Sequence, residues 1–237
     1  TLMQRQSEIQ FAEDGVQNEM DPSYHISVIS IFYEMYNLAL SNGVGGNLPS
    51  GYVERLRKAC GFVRDIMYPD YSLENFTKYA TLFPDDGTFQ WMANEGSKGT
   101  EPTGTYQSYP HSGWHIFRSG WTASDQMLIL KNNYNDFGWW HCQPDNGTIS
   151  LYRNGRHFLP DAGVYTYGGS ASDNALREQF QSTAMHNTIT LDGKTLTTML
   201  GKCLSESQGE NVDMVKVSNA SYSTLSHERS VYHIKDK

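Results

Sequence analysis

Apolar and polar positions follow two different rhythms along the chain. Over residues 25–40, Val28, Ile29, Phe32, Met35, Tyr36 and Ala39 recur at intervals of three and four, one stripe of a helix. Asp21-Pro22-Ser23 just ahead supplies a capping oxygen and a fixed φ, so a helix start is expected there. The next stretch, SNGVGGNLPSG at residues 41–51, has the composition of a loop. Helical spacing resumes over residues 52–67 with Leu56, Ala59, Cys60, Val63, Ile66 and Met67, and a third short helix is expected over residues 73–82.

Past GSKGTEPTG, residues 96–104, the period drops to two. Candidate strands follow at residues 115–118, 127–131, 148–152, 187–192, 212–217 and 230–234. Turn signals such as Asp145-Asn146-Gly147, Asn154-Gly155 and Asp192-Gly193 separate several of them. With no helical pattern between them, these strands predict an antiparallel β-sandwich rather than a βαβ sheet. The expected class is therefore α+β with two domains: helices over residues 1–95, a connector over 96–108 and a sandwich over 109–237. Two or three helices do not bury all their faces alone, and the last strand runs almost to residue 237, so both domains are expected to be incomplete.

Composition narrows the class. With 15 Tyr, 10 Phe and 5 Trp against 19% charged residues, the 237-residue chain has the material for a packed core and not the profile of a disordered one. No apolar run approaches the ~18 residues of a membrane span, and the opening TLMQRQSEIQ is not a signal peptide. A net charge of -8 argues against a general nucleic-acid binder, although a local basic cleft is compatible with it. Cys60, Cys142 and Cys203 are too few and too far apart for a disulfide framework or a paired-cysteine metal site.

Four segments concentrate polar and aromatic side chains beyond what a bare fold requires. In DGVQNEMDPSYH, residues 14–25, Tyr24 stands beside His25 at a helix entrance. Such a Tyr can exchange a proton if its phenolate is stabilised, although a buried, hydrogen-bonded Tyr is the commoner case. YPHSGWHIFRSGW, residues 109–121, alternates as a strand with Trp114, Ile116 and Arg118 on one face and His115 and Phe117 on the other. Flat aromatics stack on sugars and Arg pairs with carboxylate or sulfate, so this segment fits either a carbohydrate contact or a sandwich core. In the third, Trp139 to Thr148, His141 and Gln143 point to one side of an extended chain, with Asp145 if Pro144 does not break it. The fourth joins residues 158–165 to His186-Asn187-Thr188. Hairpins could gather His141, Asp161 and His186 into one cluster able to hold a divalent metal.

Together these motifs resemble the heparinase II/III superfamily of polysaccharide lyases, and most closely polysaccharide lyase family 12, the heparan sulfate lyases. The carriers are DGVQNEMDPSYH, YPHSGWHIFRSGW, WHCQPDNGT at 140–148, GRHFLPDAGVYTY at 155–167 and MHNTITLDG at 185–193, in the family's order. The choice of family 12 rests mainly on QPDNGT. This resemblance implies the last helices of an incomplete α/α toroid followed by a β-sandwich, both truncated. It also implies β-elimination: a uronate carboxylate is neutralised, the C5 proton is abstracted and the bond at C4 breaks, leaving an unsaturated sugar.

Position by position, Tyr24 resembles the family's catalytic Tyr and His141 its catalytic His. Gln143, Asp161 and His186 fall where the family places ligands of one structural divalent metal, zinc or calcium. Where some relatives carry His as first ligand this chain has Gln143, a harder donor. Arg118, Tyr165 and Arg177 are the substrate-binding candidates, Arg153 and Arg156 being further cations near the motifs. The implied partner is an acidic polysaccharide, with heparan sulfate ahead of alginate or another glycosaminoglycan; neither nucleic acid nor membrane is expected. A non-catalytic carbohydrate-binding sandwich is the alternative from another class. Family members are exported bacterial proteins, which implies a periplasmic or secreted location. The family's carboxylate-neutralising Asn belongs upstream of the Tyr24 motif, so this chain alone is expected to have little or no lyase activity.

Overall fold

The structure, a computed structural model, describes residues 2–134, 141–198 and 200–235. Trp139 and Trp140 of the third polar segment lie outside the described residues. Two compact units emerge, Thr1–Gly104 and Thr105–Lys237.

The first unit is helical: α1 (Leu2–Gln10), α2 (Pro22–Ser41), α3 (Ser50–Ile66), α4 (Thr77–Leu82) and α5 (Gly87–Ala93). Asp21 caps α2, its carboxylate accepting from the backbone N–H groups of Ser23 and Tyr24, and Pro22 starts the helix. Only part of the expected α2 stripe is buried: Ile29 and Phe32 are, whereas Met35 is 43% exposed. On α3 the stripe is buried along its length, from Tyr52 through Leu56, Ala59, Cys60 and Val63 to Ile66. The helix expected over residues 73–82 begins only at Thr77. Side-chain oxygens of Asp70 and Asn75 accept from the N–H groups of Ser72 and Thr77, and these turns compete with helix over the preceding residues. Beneath α4 and α5 the rings of Phe76, Tyr79, Phe83 and Phe89 meet at centroid separations of 4.9 to 5.9 Å.

The second unit contains β1 (Tyr106–Tyr109), β2 (Trp114–Arg118), β3 (Met127–Lys131), β4 (Thr148–Arg153), β5 (Arg156–Leu159), α6 (Ala171–Phe180), β6 (Gly201–Gln208), β7 (Val212–Tyr222) and β8 (Leu225–Ile234). The first five strands form one antiparallel sheet in sequential order, and the last three form another. Tyr106, Phe117 and Leu130 of the first sheet share a buried core with Val215 and Val217 of the second, so the two pack as a sandwich. As the alternation implies, Phe117 enters that core, but Trp114, Ile116 and Arg118 on the other face of β2 are buried as well.

Three expectations change here. β1 starts at Tyr106, inside the stretch taken as a connector, because Tyr106 pairs with Phe117 across the hairpin; four residues carry too little alternation to be legible. Residues 187–192 do not form a strand: the Asn187 carbonyl accepts from the Ile149 N–H of β4 at 3.3 Å and from Arg229 Nη1 at 3.0 Å, but no ladder follows, and beyond it lies an isolated bridge, Leu191 to Lys194, around the Asp192-Gly193 turn. A helix, α6, does intervene between the strands. Ser170 and Asp173 close a reciprocal capping box at its start, and none of its residues is buried, so it lacks the apolar stripe by which sequence reveals a helix.

Candidate functional site

In the helical unit the Asp21 cap fixes the entry of α2 and with it Tyr24, which is half-buried. Its neighbour His25 turns inward and is 1% exposed. Nδ1 of His25 accepts from the Gln17 N–H at 3.0 Å, so the opposite nitrogen, Nε2, carries the proton and donates to the Ala59 carbonyl at 2.9 Å. Burial, partly offset by the Ala59 bond, pushes the imidazole pKa down to about 4. This neutral His joins the motif's loop, α2 and α3. Gly15 lets that loop come close: its φ is +90°, and a Cβ there would lie 2.7 Å from the Lys58 carbonyl carbon.

In the sandwich unit a polar cluster forms where β3 ends and β4 begins. Lys131, the last residue of β3, is in register with Thr148, the first of β4, and the Lys131 carbonyl accepts from the Gly147 N–H at 2.8 Å. The turn just ahead of β4 places Asp145 on Lys131, whose Nζ lies 2.8 and 3.1 Å from the two carboxylate oxygens. Both are buried, at 8% and 4% exposure. Burial opposes the charge on Lys131, but Asp145, Cys142 and Asp161 outweigh it and hold the ammonium above its ordinary pKa.

Asp161 and His186 complete the cluster from the segment after β5 and the turn after α6. Nδ1 of His186 and Oδ2 of Asp161 are 3.0 Å apart, and Asp161 Oδ1 accepts from the Gly163 N–H at 2.9 Å. Burial works against ionisation of Asp161, yet His186, Gly163 and Lys131 together hold its carboxyl below the usual range. One ligand atom each from Asp145, Asp161 and His186 lies within 4.8 Å of the others. Gln143 and His186 are both buried, and Gln143 Oε1 and His186 Nε2 have no hydrogen-bond partner among the described residues. The orphaned His186 Nε2 beside the Asp145 and Asp161 carboxylates fits a divalent cation, and the orphaned Oε1 of Gln143, two residues ahead of Asp145 in the chain, is a further oxygen donor, since unpaired polar atoms are otherwise costly to bury.

The remaining candidates separate. His141 meets the Tyr167 ring edge-on at 5.7 Å, and the Arg177 guanidinium of α6 lies over the same ring, 5.2 Å from its centroid. Tyr165 packs against Phe180 of α6 at 5.3 Å, holds a positive φ of 64° and is 51% exposed. Arg118 is not a surface cation: it is 5% exposed, with its guanidinium 3.6 Å from the Trp121 ring centroid. Sequence reasoning passed over Lys131 and Tyr167. Nothing in their spacing marks them, because Lys131 meets Asp145 only through the turn ahead of β4, and Tyr167 meets His141 and Arg177 of the unforeseen α6 only in the fold.

Residues 1–91 match the family model described as heparinase II/III N-terminus, and residues 101–237 match heparinase II/III-like, C-terminal. A heparin-sulfate lyase of Bacteroides thetaiotaomicron is 32% identical over 269 aligned residues, which take in 100% of this chain and 38% of that protein. A heparin-sulfate lyase of Pedobacter heparinus is 31% identical, over 94% of this chain and 36% of its own. Among solved structures, heparan sulfate lyase from Pedobacter heparinus superposes with a TM-score of 0.92 at 30% identity, covering 98% of this chain and 39% of that one. A heparinase III structure gives 0.89 at 32% identity, over 98% and 40%. The chain thus spans about two fifths of the length of the relatives it matches.

Proposed function

The chain belongs to the heparinase II/III family, and from that premise we propose that it forms part of a polysaccharide lyase acting on a uronate-containing glycosaminoglycan, heparan sulfate first. The observation that carries this is its likeness, across nearly the whole chain, to proteins named heparin-sulfate lyases.

In β-elimination a base removes the proton at C5 of the uronate, and the resulting charge spreads onto the carboxylate. The electron pair then forms the C4–C5 double bond as the C4–O bond breaks, and the departing oxygen takes a proton. Tyr24 is assigned the proton given to that oxygen, and His141 the role of base or of partner to Tyr24. The Asp21 cap orients Tyr24 by fixing the first turn of α2. Tyr167 flanks the His141 ring and restricts its orientation. Arg177 and the exposed Tyr165 are assigned to the acidic polymer, as cation and as stacking surface.

Gln143, Asp161 and His186 would hold one divalent ion, zinc or calcium. Bound there, it supplies a structural cross-link that anchors the turn following His141. Export to the periplasm or the medium belongs to the same proposal, and cell fractionation tests it.

The deciding assay incubates the complete protein with heparan sulfate, hyaluronan and alginate and follows the ultraviolet absorbance of the unsaturated product. Absorbance rising with heparan sulfate is the expected result. Absorbance with alginate alone overturns the substrate, and cleavage without the unsaturated chromophore overturns the lyase chemistry.

A further inference from the structure

We propose that Lys131 governs how tightly, and through how many protein oxygens, this chain holds a divalent cation: its ammonium keeps Asp145 as a counter-ion and out of the coordination sphere. The inference rests on the metal site proposed above, but it concerns two residues outside that ligand set.

Asp145 sits among the donor atoms, with an oxygen within 4.8 Å of ligand atoms on Asp161 and His186. It differs from Gln143 and His186 in one respect. Their buried Oε1 and Nε2 have no partner among the described residues, whereas both oxygens of Asp145 are taken up by Lys131 Nζ, at 2.8 and 3.1 Å. The backbone leaves this pair little freedom. Lys131 is locked in register against Thr148, and the Asp145 carbonyl accepts from the Thr148 N–H at 2.9 Å. Trp114 adds a ring 5.7 Å from the ammonium. A carboxylate already bound to a fixed cation has to give up a buried, charge-assisted pair before it can ligate a metal.

Charge counting gives the consequence. Asp145 and Asp161 carry two negative charges and Lys131 one positive, so a divalent ion leaves the site with one excess positive charge. Without Lys131 the same ion would be neutralised, and Asp145 would be free to join it. Because charges interact strongly where water is largely excluded, Lys131 lowers cation affinity by about tenfold or more.

The test is a Co2+ titration of the full chain, read by visible absorption and by competition with a chelating dye, on wild type, Lys131→Met and the double variant Lys131→Met/Asp145→Asn. The single variant is expected to bind about tenfold tighter or better, with a changed spectrum as Asp145 becomes a ligand. In the double variant the wild-type spectrum should return. Equal affinity and spectrum for wild type and Lys131→Met overturns the proposal, and so does a double variant whose spectrum departs from wild type, since Asp145 would then already be a ligand. Should Lys131→Met fail to fold, the double variant still decides, because it removes the buried pair as a unit. Co2+ taken up by Lys131→Met but not by wild type keeps the role of Lys131 and overturns the native metal site; uptake by neither overturns both.

Discussion

The Nε2–H of His25, in the first turn of α2, donates to the carbonyl of Ala59 on α3 across 2.9 Å. With the pKa held at about 4, against 6.5 for the free side chain, this ring is neutral wherever the protein is folded at ordinary pH. Above 6.5 it is neutral in both folded and unfolded chains, and its contribution is complete. As pH falls below that value the unfolded chain takes up a proton that the folded chain refuses, so stability declines until about pH 4 and then levels off. At about 1.4 kcal/mol per pKa unit the loss approaches roughly 3 kcal/mol. His115, wholly buried between the hydroxyls of Tyr106 and Tyr134 and likewise pushed down to about 4 by burial, adds a decline of the same sign in the sandwich unit. Denaturant unfolding between pH 7 and pH 4 should show the decline, and His25→Gln should make it shallower while leaving the part due to His115; an unchanged slope in that variant refutes the assignment.

Gly15→Ala should destabilise the helical unit by about 2 kcal/mol or more, since strain at a positive φ and an impossible contact act together. Its added Cβ would meet the backbone of Lys58 at 2.7 Å. Thermal unfolding is the measurement, and a change within about 0.5 kcal/mol would contradict the close approach.

Tyr24→Phe and His141→Ala, each in the complete protein, should lower kcat for the lyase reaction by about a hundredfold or more while leaving the unfolding midpoint nearly unchanged. Both side chains lie outside the fully buried core, so their loss opens no large cavity. Wild-type turnover in both variants would favour the non-catalytic carbohydrate-binding alternative.

Gln143→His should raise zinc affinity relative to calcium, because it exchanges a neutral oxygen donor for an imidazole nitrogen. The metal content of protein dialysed against both ions gives the ratio. Calcium retained at the wild-type ratio would mean that residue 143 is not a ligand.

Much of this was legible in local pattern. The α3 stripe from Leu56 to Ile66 declared its helix because the buried face repeats with the helical period, and the Asp21-Pro22 start of α2 was readable because a cap is a matter of a few adjacent residues. β3 was equally plain, since Met127 to Lys131 is a continuous apolar run ending in a charge. Where pattern was faint, expectation failed. β1 is four residues long, α6 buries none of its residues, and the segment from Asn187 makes a single backbone bond to β4, its carbonyl accepting from Ile149 as well as from Arg229, without continuing as a ladder.

The sequence by itself determined the change from helix to strand, the family motifs and the residue types at Gln143, Asp161 and His186, since these depend on local spacing and identity. Only the tertiary structure decided which polar side chains keep free donor atoms. Among the described residues Gln143 and His186 retain theirs, Asp145 is claimed by Lys131, and Arg118 is covered by Trp121. Such pairings are made between residues far apart or around a turn, where burial and distance set the energy, and neither is written in the order of residues along the chain.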